Sequence, residues 1–278
     1  MSVIFTQAHA DNQAAGEYPL THARVGYQTY TRDLTAAAVT ASSEAADAPA
    51  DAPLRPDTYE YWQPTALPAT WQIDLGASQS IDYVGLGGHT FGSNGTTVLI
   101  ETSPDAATWT TFADDAAPSN DAPLMFLDES RNARYVRITL DAINSPGDEP
   151  RLAVVYIGEV LAMQRMIFGG HTPMPLQRET VLRSALSKGG QFLGQNIQRK
   201  GVTGDAAFRH LTNDWVRNSL DPFIKAARNY PFFFAWRPYG YSEDVAYCWA
   251  TGDIAPINMG VKDFLSVQWS MRGIGYSD

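Results

Sequence analysis

The sequence predicts a mainly β protein in two parts, a sandwich of short strands followed by a β-rich domain with one main helix. Three observations carry this. Short apolar segments with period-two alternation recur at regular spacing between turn residues through the first 160 positions. Only one stretch, near residues 212–228, has a helical period. The charge also divides: residues 1–162 hold seven Arg, no Lys and 21 acids, a balance of −14, whereas residues 163–278 hold 13 basic and nine acidic residues, a balance of +4. We place the boundary at Met163, giving domains 1–163 and 164–278, each long enough to bury a core without disulfides or metals.

Met1 to Asp11 contains only Val3-Ile4-Phe5 as an apolar run and no basic residue before it, so it is not read as a secretory signal. Thr35 to Pro56 is rich in Ala, Ser, Asp and Pro and reads as a long, partly mobile surface loop. Trp71-Gln72-Ile73-Asp74-Leu75 alternates and stops at Gly76, as a half-buried strand does. Ile81 to Leu86 repeats the pattern, Val98 to Glu101 follows the turn Gly92-Ser93-Asn94-Gly95, and Trp109 to Phe112 follows the turn at Ser103-Pro104-Asp105. Leu124 to Leu127, Tyr135 to Leu140 and Val154 to Val160 complete the set. In the second domain Thr212 is placed to cap a helix whose Val216, Leu220, Phe223, Ile224 and Ala227 share a face. Pro222 should kink or restart that helix rather than end it. Phe232 to Trp236, Asp244 to Ala250 and Asp263 to Arg272 read as strands, the last with Leu265, Val267, Trp269 and Met271 alternating against polar residues.

The succession Tyr61-Trp62, Trp71 to Gly76, Ile81 to Leu86, Glu101 to Trp109 and Arg134-Tyr135-Val136-Arg137-Ile138 resembles the discoidin, or coagulation-factor C-type, domain, a galactose-binding-like β-sandwich (jelly roll). Ala106 stands where glycine is common in the family's Ser-x-Asp-Gly turn. The resemblance implies a non-catalytic recognition module that meets ligands through loops at one end, here Asp57 to Trp62, His89 to Asn94 and Asp114 to Asp121. Trp71 and Trp109 are expected in the core, and Asp74 or Arg137 in charge-assisted ties between strand ends. A saccharide needs an apolar ring face and planar polar groups. Tyr59, Tyr61 and Trp62 can supply the first, and Glu60, His89 and Asn94 the second. Each has an ordinary alternative: Trp62 as core filler, His89 as a partner of loop backbone. Asp114, Asp115 and Asp121 are a candidate calcium set, or else simply solvated acids.

The segments Tyr230 to Pro238, Tyr241 to Trp249 and Phe264 to Gly273 are similar to phage minor tail or distal tail proteins. This resemblance implies a virion component at the tail tip or baseplate, assembled in the bacterial cytoplasm. Its partners would be the tail tube, hub and fibres, other copies of itself in a ring, and a host-surface glycan. The acidic first half argues against nucleic acid, and no stretch suits membrane insertion. No Gly-x-Ser-x-Gly, His-Glu-x-x-His or phosphate-loop motif is present, the five histidines lack metal-ligand spacing, and Cys248 reads as a buried, inert thiol. An enzyme is not expected, and no cofactor beyond calcium is implied. Two readings compete with a sugar-binding tail protein: a purely structural tail or virion decoration protein, and a bacterial glycan-binding adhesion protein.

Overall fold

The computed structural model describes residues 2–14, 18–113, 115–142, 149–260 and 262–274. Strands dominate and form two mainly antiparallel sheets. In the first, the order is Val39–Ala41, Ala69–Gly87, Leu124–Ala142, Thr96–Ser103, Thr110–Thr111, with Val154–Gly158 also paired to Ala69–Gly87 and Val3–Ile4 lying parallel to Leu124–Ala142. Two of these strands are 19 residues long. At about 3.3 Å per residue each would be some 60 Å if straight, too long for one layer of a small domain. They bend instead. The register of their pairing breaks between Asp74 and Gln79 and again between Ile81 and Tyr83, where the strands leave one layer and enter the other. Trp71, Ile73, Ile100 and Ile138 from one layer and Val84, Leu86, Phe126 and Ile157 from the other then fill a common core. This is the expected sandwich.

The Ala-rich loop is folded onto that core. Ala48, Ala50, Ala52 and Leu54 are buried, and two of the loop's carbonyls accept indole N–H groups, Ser43 from Trp62 at 3.0 Å and Ala50 from Trp71 at 2.8 Å. Small side chains let the backbone approach closely enough to satisfy both rings. Trp109 departs from expectation: it is only half-buried, outside the core, with the Arg137 guanidinium 4.1 Å over its ring. Arg137 and Asp74 do tie strands, through Glu101 at 2.9 Å and through a bidentate fork from Arg134 at 2.7 Å. That fork holds the Asp74 carboxyl below its usual range.

The second sheet runs Arg178–Leu186, Phe192–Leu211, Leu265–Ile274, Val245–Ala250, Phe232–Ala235, Arg24–Gly26, Leu161–Ala162, with Ile257–Asn258 on Leu265–Ile274. It therefore recruits residues 24–26 and 161–162 from before Met163. One face packs against a helical run over 213–227. Thr212 holds the position before the helix but makes no capping bond. Its hydroxyl accepts from the Gln164 amide at 2.9 Å while its own N–H donates to that side chain at 2.8 Å. The turn Val216–Leu220 is π-helical and the α-helix resumes at Asp221–Ala227. The wider turn spares the Pro222 ring a clash with the preceding carbonyls, so the helix restarts without ending. No helix among the described residues is long and apolar enough to cross a membrane.

The two sheets share a third apolar cluster. Tyr83, Met125, Leu127, Val154 and Tyr156 from the sandwich's outer face meet Phe233, Ala235, Val245 and Tyr247 from the second sheet. Residues 83–87 are accordingly buried on both faces, where the sequence alternation anticipated one. Gly85 permits the approach: a Cβ there would lie 2.7 Å from the Phe233 ring. The Tyr156 hydroxyl donates to the Pro231 carbonyl at 3.1 Å, and the Arg32 guanidinium sits 3.7 Å over Tyr230. Beside this seam Arg24 is buried, donating to the Tyr18 and His22 carbonyls at 2.6 and 3.2 Å. Burial lowers its pKa to about 10 and raises that of Asp82, which accepts the Val160 N–H at 2.6 Å, to about 7.

Candidate functional site

The loop end of the sandwich is built outward from Trp62. Its backbone exchanges two hydrogen bonds with Leu152, of 2.8 and 2.9 Å, which sets Asp57 to Tyr61 beside Arg151. The Arg151 guanidinium lies 4.6 Å over the Tyr61 ring, and its backbone N–H donates to the Thr90 hydroxyl at 3.0 Å. Thr90 opens the second loop, where its carbonyl accepts the Asn94 N–H at 3.1 Å and the Ser93 N–H donates to Asp121 at 2.9 Å. The three loops predicted from sequence thus meet. The base of the first is also pinned from the other domain, because the Tyr247 hydroxyl donates to the Pro56 carbonyl at 2.5 Å.

The six candidate saccharide residues divide within this cluster. Tyr59 is 89% exposed, an aromatic ring held out at the loop tip. Glu60 is exposed beside it and paired with Arg55. Tyr61 and Asn94 are half-buried at the rim. Trp62 and His89 do not reach the surface. Trp62 is wholly buried with its N–H already donated, and His89 is buried with its ring stacked 4.4 Å from Phe91 at 9°. Loss of water around His89 lowers its pKa to about 4, so it is neutral at ordinary pH. Both side chains support the loops from beneath.

Of the calcium candidates, Asp114 lies outside the described residues, Asp115 is exposed, and Asp121 is engaged by Ser93. Among the described residues no three His, Cys, Asp or Glu side chains converge as a metal site. The sequence reading missed Arg151, which joins two loops; a lone basic residue after Pro150 in an otherwise acidic stretch was the available signal. Cys248 is buried, its thiol pKa raised by burial, and it faces the Phe232 carbonyl at 3.5 Å.

Residues 38–151 match the family model of the F5/8 type C domain. The F5/8 type C region carries all three loops and most of the sandwich core, and it occupies less than half of the chain. Among solved structures, the chain is similar to the chitosan-binding module 1 derived from a chitosanase/glucanase of Paenibacillus sp. IK-5, with 21% identity, TM-score 0.38, and coverage of 48% of this chain and 99% of that one. A Clostridium perfringens module, CpGH89CBM32-5, in complex with GalNAc-beta-1,3-galactose, shows 17% identity and TM-score 0.38 over 44% of this chain and 94% of its own. A Ruminococcus gnavus GH29 fucosidase in complex with fucose shows 18% identity and TM-score 0.40, covering 48% of this chain and 26% of that one. No curated protein matches the chain.

Proposed function

We infer that the chain is a non-catalytic saccharide-recognition protein whose F5/8 type C region is built rigidly onto an assembly domain. The observation that carries this is the exposed Tyr59 ring, held at the tip of a loop that also exposes Glu60 and that Arg151, with its guanidinium over Tyr61 and its N–H on Thr90, joins to the loop of Asn94. Such a grouping offers an apolar face for the C–H side of a sugar ring and planar groups for its hydroxyls. The setting we assign is a bacteriophage tail tip, as a distal or minor tail protein attaching to a host-surface glycan. It is supported by the similarity of the aromatic segments at 230–238, 241–249 and 264–273 to that class. A single shallow site binds weakly, and repetition in a ring raises effective concentration enough to make attachment useful.

Two experiments test this reading. The full chain is screened on an array of bacterial surface saccharides, and hits are titrated by calorimetry. Binding that falls at least about tenfold, roughly 1.4 kcal/mol, in Tyr59→Ala with an unchanged melting temperature is the expected outcome. Absence of any saccharide binding would remove the recognition half. Antibody labelling of virions in the electron microscope should place the chain at the tail tip. Labelling elsewhere would remove the setting.

A further inference from the structure

The strand Arg178–Leu186 pairs with residues 192–202 of Phe192–Leu211, and only residues 202–211 of that second strand pair with Leu265–Ile274. Residues 178–201 therefore leave the sheet as a two-stranded arm, closed at Ser187 to Gln191. The arm is amphipathic. Arg178 pairs with Val202, which is buried in the core of the second domain, and residues an even number of steps along the same strand share that face. Leu182 opposite Ile197 and Leu186 opposite Phe192 fall on it, alternating with the polar pairs Thr180–Lys200 and Ser184–Gln195, and the four apolar side chains are 49 to 65% exposed. The core face of the sheet thus runs on past the helix that covers it, as a stripe of alternating apolar and polar pairs that stays exposed among the described residues. A two-stranded ribbon with such a stripe in water is marginal by itself and marks an interaction surface.

The charges indicate what covers it. Residues 178–201 contain five basic side chains, Arg178, Arg183, Lys188, Arg199 and Lys200, and one acid, Glu179. That balance of +4 equals the balance of residues 163–278 as a whole, so the rest of the second half is neutral. The complementary surface on the same molecule is the sandwich half at −14.

We propose that the arm docks on the acidic sandwich half of a second copy of this chain. The arm and its acceptor are different surfaces, so the contact is head-to-tail and repeats from copy to copy, closing a ring or extending a filament. Apolar burial supplies the attraction, and opposite charge selects the partner. The proposal rests on the assembly part of the function proposed above and is independent of the saccharide site.

Sedimentation of the full chain tests it. Self-association that rises with concentration and weakens with salt is expected, together with a monomeric Leu186→Asp/Phe192→Asp variant that melts as the wild type does. A wild type that stays monomeric at low salt overturns the proposal, as does a double variant that still associates. Leu193→Cys, carrying a photo-crosslinker at the exposed bulge of the arm, should link to peptides within residues 33–162 of another copy. Arm-to-arm links would overturn it. Association through the arm in a chain absent from virions would sink the tail setting alone, whereas a virion component that is monomeric in solution and links elsewhere would sink the arm alone.

Discussion

His89 lies against Phe91 inside the sandwich, which couples its protonation to folding. Its pKa falls from 6.5 in the open chain to about 4 in the folded one. The folded state then binds fewer protons between those values, so the stability it contributes is present above pH 6.5 and is lost as pH falls towards 4. At 1.36 kcal/mol per unit this is about 3 kcal/mol at most. Asp82 works in the opposite sense, because its folded pKa of about 7 exceeds the 3.8 of the open chain and its contribution is lost as pH rises through that window. The wild-type curve sums both, so the informative quantity is a difference. Unfolding free energies of wild type and His89→Gln, measured from pH 7 down to pH 4 by denaturant titration, should shift by up to about 3 kcal/mol in favour of the variant. A pH-independent difference would show that His89 titrates alike in both states. Residue chemistry was legible where it is local. The ties of Asp74 and Arg137 follow from their places in strands, and Ala106 adopts φ +61°, the left-handed conformation that explains why glycine is common there. Burial was harder to read, because Trp62, Trp109 and His89 are each compatible with either side of a loop until the rest of the chain is placed.

At the scale of elements, period-two patterns located most strands, and the Pro222 restart followed from proline geometry. The bends in the two long strands were not legible, since a strand that changes layers keeps its alternation while changing its neighbours. Nor was the arm, where apolar alternation normally signals burial and here signals a surface. The seam at Gly85 was hidden for a related reason: glycine in a strand leaves no mark of what approaches it. Its importance can be measured. Gly85→Ala places a methyl within 2.7 Å of Phe233 ring carbons and should destabilise the chain by about 2 kcal/mol through overpacking. Adding Phe233→Leu to it should recover part of that loss, and additive costs in chemical denaturation would mean that the two positions do not press on each other.

The whole molecule is more than two beads on a string. A free sandwich would keep polar side chains on its outer face, yet Tyr83, Met125, Leu127, Val154 and Tyr156 lie there under Phe233 and Tyr247. The first domain's loop base is held by the second domain's Tyr247, and the second domain's sheet contains Arg24–Gly26 from the start of the chain. Melting of one domain exposes the apolar seam of the other, so the two should unfold in one cooperative transition, with calorimetric and van't Hoff enthalpies in agreement. The excised first domain, residues 1–163, should by the same reasoning expose five large side chains at once. At about 1.5 to 3 kcal/mol each for full burial, their exposure is comparable with the whole margin by which a domain of this size is stable. That fragment is expected to aggregate or to bind a hydrophobic dye strongly. Replacing Tyr83, Met125 and Tyr156 with Thr, Lys and Thr should return it to solution as a folded monomer. A soluble, dye-silent fragment without those changes, or two separate melting transitions in the full chain, would show that the seam contributes little and that the halves are tethered rather than fused.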